Sequence, residues 1–75
     1  MRFEAIKAGG NMPCIVNAAN EVVNRAFLDD RCGFLEMGAI IEQTMRLTPF
    51  DANPSYDTYV ATDAEARRIA ASQIH

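Results

Sequence analysis

Between Pro13 and Leu28 the apolar residues Ile15, Ala18, Ala19, Val22, Val23, Ala26 and Phe27 recur at i, i+3, i+4 and i+7, the period of one face of an α-helix. Pro13 suits the first turn of such a helix, where its missing N–H removes a donor that has no partner anyway. Upstream, Gly9 and Gly10 would end a preceding short helix carrying Phe3 and Ile6. The spacing of that segment already runs at Phe3 with no capping residue before it, the pattern of a helix that begins further upstream. Asp29-Asp30-Arg31-Cys32-Gly33 is a polar connector. The helical pattern then resumes at Phe34 or Leu35 and continues through Met37, Ile40, Ile41, Thr44 and Met45. It stops before Thr48-Pro49, because proline disfavours the α conformation of its predecessor and cannot donate to the ladder.

Phe50-Asp51-Ala52-Asn53-Pro54-Ser55 reads as an irregular loop, with Ser55 able to cap a short helical turn through Tyr56 to Val60. A last helix is expected to open at Thr62, whose T-x-x-E pairing with Glu65 has the form of a capping box, and to run to about Gln73. No stretch alternates as a strand does, and no Asn-Gly or Asp-Gly hairpin turn occurs. The expected fold is all-α, a small bundle of three to four helices occupying residues 1–75 as a single domain. On its inner face the Pro13–Leu28 helix should turn Ile15, Ala19, Val22, Ala26 and Phe27 toward the core.

The polar side of the same helix is less ordinary. Asn17, Asn20, Glu21 and Asn24 line one stripe opposite the apolar face. Asn is a poor helix former whose side chain competes for backbone hydrogen bonds, whereas solvated helical positions favour Lys, Glu, Gln and Arg. Three carboxamides with a carboxylate are suited to hydrogen-bonding a neighbouring backbone or loop, which makes the stripe a candidate docked face. A merely solvated face fits the spacing equally well.

Composition narrows the chemistry. The 75 residues are 49% hydrophobic and carry ten acidic against seven basic side chains, a net charge of -3. There is no Lys/Arg cluster to neutralise a phosphate backbone, so nucleic acid is not an expected partner, and the helix–turn–helix reading lacks its basic recognition helix. The longest apolar runs fall short of the roughly 18 residues that cross a bilayer, so no membrane partner is expected. Met1-Arg2-Phe3-Glu4 carries an acid where a signal peptide would begin its apolar stretch. Cys14 and Cys32 then read as two reduced thiols of a cytoplasmic protein, small apolar fillers rather than metal ligands or nucleophiles. The sole histidine is the final residue, His75, so neither a His-based triad nor a closed zinc site has its parts. Gly9-Gly10-Asn11 follows a helix rather than a strand and is a helix stop, not a phosphate cradle. Ser55 and Ser72 lack the setting of an acyl-carrier serine. A dinucleotide-binding fold also needs more chain than this.

Taken together, Ala8-Gly9-Gly10-Asn11-Met12-Pro13-Cys14, Asn17-Ala18-Ala19-Asn20-Glu21-Val22, Ala26-Phe27-Leu28, Gly33-Phe34-Leu35 and Thr62-Asp63-Ala64-Glu65-Ala66-Arg67 resemble the C-terminal helical domain of the 1-deoxy-D-xylulose 5-phosphate reductoisomerases. The resemblance covers nearly the whole chain. It implies a parent enzyme with an NADPH-binding Rossmann domain, a catalytic domain holding Mg²⁺ or Mn²⁺ and the substrate, and this bundle at the C-terminus. Such an enzyme makes 2-C-methyl-D-erythritol 4-phosphate in non-mevalonate isoprenoid biosynthesis, usually as a homodimer. The family's cofactor, metal and substrate ligands lie in the other two domains, so no catalytic, cofactor-binding or metal-binding residue carries over to this sequence. The Asn-Ala-Ala-Asn-Glu motif does carry over, and shifts the reading of Asn17, Asn20 and Glu21 toward a docked, structural role; with Asn24 they make up the candidate interdomain face. Its partners would be the catalytic domain and linker of the same parent chain. The competing expectation is an autonomous small helical protein-interaction module with no enzymatic parent.

Overall fold

The computed structural model describes residues 9–74. Within them the chain forms three α-helices, α1 (Met12–Leu28), α2 (Phe34–Leu47) and α3 (Tyr56–Ser72), and no strand occurs among the described residues. The short helix expected around Phe3 and Ile6 lies outside the described residues, as does His75.

Local chemistry sets each boundary. At the start of α1, Met12 N–H donates to Gly9 O (3.1 Å) and Ile15 N–H to Asn11 O (3.1 Å), while Pro13 has no N–H to satisfy. The helix ends in a Schellman turn: Arg31 N–H reaches Ala26 O (2.8 Å) and Asp30 N–H reaches Phe27 O (3.1 Å), with Asp30 left-handed at φ 58°. At the start of α2, Glu36 Oε1 accepts from Gly33 N–H (2.8 Å), the half of a capping box that a glycine permits. It ends at Thr48, whose hydroxyl donates to Thr44 O (2.7 Å), one residue before Pro49.

Helix α3 departs from expectation. Ser55 is indeed an N-cap, its Oγ accepting from Thr58 N–H (3.3 Å), but the helix it caps runs unbroken to Ser72. Thr62 is therefore mid-helix and buried (6% exposed), and Glu65 pairs with Arg68 instead of capping. The T-x-x-E pattern marks no helix start here because the backbone N–H groups it would cap are already bonded within α3. The short turn expected over Tyr56 to Val60 and the last helix expected from Thr62 are one helix.

Packing follows the apolar periodicity. Helix α1 lies against both others, with Ala19, Val23 and Ala26 joining Ile40, Ile41, Cys32 and Ala70 in one cluster and Ile15 and Ala18 joining Ala66 in a second. Ile15 and Val23 are fully buried, each contributing about 1.5–3 kcal/mol by leaving water. The contact with α3 is built on alanines, Ala18 opposite Ala66, which lets the two backbones approach closely. Two inward assignments are qualified. Val22 packs against the core cluster but is only part-buried, because its outer side borders an open cleft with Arg67, Ala71 and Ile74. Phe27 is 43% exposed: it lies in the last turn of α1, where the chain turns away, and its ring meets Phe34 edge to face.

The polar centre of the fold is Asn11, which is 1% exposed. Its Nδ2 donates to Pro49 O (3.0 Å) and to Thr62 Oγ1 (3.0 Å), and its Oδ1 accepts from Asp51 N–H (2.8 Å). Its main-chain N–H donates to Asp51 O (2.9 Å). One side chain thus ties the start of α1 to the α2–α3 loop and to the middle of α3. Gly10 makes the approach possible: a Cβ there would lie 2.2 Å from Asp51 O, and its φ is +57°. One turn before Thr48, Thr44 Oγ1 accepts from Gln73 Nε2 (3.1 Å), linking the end of α3 to α2.

Candidate docking face

Asn17, Asn20, Glu21 and Asn24 are all exposed and lie on the side of α1 away from its buried residues, as their spacing requires. The structure divides them. Glu21 is engaged within the chain: its carboxylate accepts from Arg67 Nη2 on α3, and Arg67 Nε is held by Asp63 (2.9 Å). This bridge straps α1 to α3 across the surface. The two carboxylates raise the pKa of Arg67, Asp63 first and Glu21 second. With the side chains 42–53% exposed, a pair of this kind is worth about 0.2–1 kcal/mol. Asn17, Asn20 and Asn24 make no side-chain hydrogen bond among the described residues.

Arg67 and Asp63 are members of this face that reasoning from α1 alone does not find. Their signal is the Asp-x-x-x-Arg spacing on α3, which places both on one side of that helix. Cys14 lies at the same border, its Sγ 3.7 Å from Tyr59 O. Burial, and then the nearby Asp63 carboxylate, push its thiol pKa up. Cys32 is buried, and burial followed by Glu36 raises its pKa too. Both cysteines are free and held as thiols, the opposite of an activated nucleophile.

Elsewhere the surface offers an open groove of about 610 Å³ between the α2–α3 loop and α3, lined by Phe50 and Ala61 with Asp51, Asp57 and Glu65 around them. Arg68 neutralises Glu65 through two hydrogen bonds (2.7 and 2.9 Å) and holds its carboxyl below the ordinary value. An acidic groove does not suit the phosphates of a dinucleotide. Among the described residues no group of three or more His, Cys, Asp or Glu is placed to hold a metal ion. No described helix is long and apolar enough to cross a membrane.

These features can be set beside known proteins. Residues 1–69 match the family model described as DXP reductoisomerase C-terminal domain. Over 74 residues the chain is 64% identical to the 1-deoxy-D-xylulose 5-phosphate reductoisomerase of Bacteroides thetaiotaomicron, covering 99% of this chain and 19% of that protein. It is 44% identical over 70 residues to the Ralstonia nicotianae protein of the same name, covering 93% of this chain and 18% of the relative. The fold resembles part of the solved 1-deoxy-D-xylulose 5-phosphate reductoisomerase from Zymomonas mobilis in complex with NADPH. The TM-score is 0.82 at 44% identity, over 93% of this chain and 18% of that one. The chain thus spans about a fifth of the length of the relatives it matches. These matches place it in one family: the chain belongs to the DXP reductoisomerase C-terminal domains.

Proposed function

We propose that this chain is the non-catalytic C-terminal structural domain of an NADPH-dependent 1-deoxy-D-xylulose 5-phosphate reductoisomerase, a cytoplasmic homodimer that makes 2-C-methyl-D-erythritol 4-phosphate. Its task is to brace the catalytic domain and the linker through the face carrying Asn17, Asn20, Glu21 and Asn24. The family match, at about a fifth of the relatives' length, is the observation that carries this reading. The site chemistry supports it: the thiols are not activated, and the acidic groove is unsuited to NADPH. The cofactor and the divalent metal would be bound by the other domains, so no chemical step is assigned to any residue here.

On this reading Glu21 fastens α1 to α3 and sets the tilt of the stripe, while the three carboxamides meet the partner. The test is the triple substitution Asn17→Ala, Asn20→Ala and Asn24→Ala in the full-length enzyme and in the 75-residue chain alone. The isolated chain should melt at or slightly above its original temperature, because alanine is the better helix former. The full-length enzyme should lose turnover or thermal stability. Unchanged full-length behaviour would mean a solvated face. Turnover by the isolated chain supplied with NADPH, Mg²⁺ and substrate would show that it is catalytic after all.

A further inference from the structure

Positions three and four apart on a helix share a face. On α1 that progression passes from Asn17, Asn20 and Asn24 directly to Phe27 and Leu28, so the carboxamide stripe turns apolar toward the C-terminal end. Helix α2 adds Phe34 and Leu35 at the same corner, with the Phe27 and Phe34 rings edge to face at 6.4 Å between centroids. Leu28 is 78% exposed, Phe34 69% and Leu35 92%. Single apolar side chains on a surface are ordinary, but four large ones gathered at one corner mark a surface that something covers.

We infer that the carboxamide stripe and this apolar corner form one continuous interdomain face, and that its occupant is the remainder of the parent polypeptide. The occupant presents an apolar patch to Phe27, Leu28, Phe34 and Leu35 and open peptide groups to the carboxamides. This rests on the structural-domain reading above. The length of chain available supports it: 99% of this chain corresponds to only 19% of the Bacteroides thetaiotaomicron relative, so four-fifths of such a polypeptide lies outside the bundle. The area points the same way. The four apolar side chains by themselves offer roughly 500 Å², short of the about 800 Å² per partner of a standard stable interface, and the carboxamides that extend the face gain little from leaving water unless each finds a hydrogen-bond partner. A covalently attached neighbour docks at high effective concentration and needs less, whereas a free second copy does not have that advantage.

The test places Leu28→Glu and Leu35→Glu together in the full-length enzyme and in the isolated chain. Both side chains face water in the isolated bundle, so its melting temperature should not move. In the full-length enzyme the C-terminal domain should melt in a separate transition, and amide exchange across residues 24–36 should rise roughly tenfold. Leu47→Glu, an exposed position at the far end of α2, should change neither. A single unaltered transition with unaltered exchange would overturn the inference. So would concentration-dependent dimerisation of the isolated chain that the double substitution abolishes, since the occupant would then be a second copy. Turnover separates the two readings. Lost docking with unchanged turnover keeps this face and removes the bracing role. Unaltered docking in the corner variant, with lowered turnover in the carboxamide variant, does the reverse.

Discussion

Replacing Asn11 with alanine removes three side-chain hydrogen bonds from the place where α1, the α2–α3 loop and α3 meet. The Thr62 hydroxyl is buried with its bond to Asn11, and an unsatisfied group there costs about 1–3 kcal/mol. Pro49 O and Asp51 N–H are part-buried partners that water reaches more readily, at about 1 kcal/mol each. The sum is about 3–5 kcal/mol. A chain of this size has about 4–11 kcal/mol of total stability at the usual 0.05–0.15 kcal/mol per residue. Asn11→Ala should therefore lose about a quarter or more of its stability, read from urea unfolding followed by helical circular dichroism. Thr62→Val should cost less, since it removes one bond and keeps the shape. The double variant should fall short of additivity by about 1 kcal/mol, because both single changes break the same contact. An Asn11→Ala loss below about 1 kcal/mol, or strict additivity with Thr62→Val, would refute the assignment of Asn11 as the central tie.

Two further substitutions test the packing. Val23→Asp should unfold the chain, because an unpaired charge in a site with no exposure costs several kcal/mol. Val22→Asp, over the open cleft with Arg25 and Arg67 beside it, should remain folded, and thermal melts of the two variants should differ by more than about 10 °C; equal melts would contradict the division. Gly10→Ala should destabilise by about 2 kcal/mol or more, since the new Cβ meets backbone at 2.2 Å in a left-handed conformation. A Gly10→Ala variant as stable as the original in urea would show that the loop at Asp51 yields freely.

Most of α1 and α2 was legible in the sequence, because their apolar faces keep the helical period for three turns or more and their ends carry Pro13 and Thr48-Pro49. The pattern divides helix α3 in two because its first two turns are amphipathic only weakly. Tyr56, Tyr59 and Val60 are exposed, and Thr62 looks like a cap when its distant partner is not known. Asn11 was invisible for a related reason. Locally it has the form of an N-cap, yet its side chain makes no capping bond and serves residues 38 to 51 positions away. The stripe of Asn17, Asn20, Glu21 and Asn24 is readable from spacing alone, but the strap from Glu21 to Arg67 depends on how α1 and α3 cross.

The span of the Asn11 contacts also bears on the order of events as the chain folds. Its three bonds close sequence separations of 38, 40 and 51 residues, and long closures of this kind follow local helix formation. The node is then a late latch rather than part of a nucleus. Its removal should act on the unfolding limb of a chevron and leave the refolding limb nearly in place. The persistence of the folded bundle would then be governed by one buried carboxamide, and its speed of formation by the helices alone.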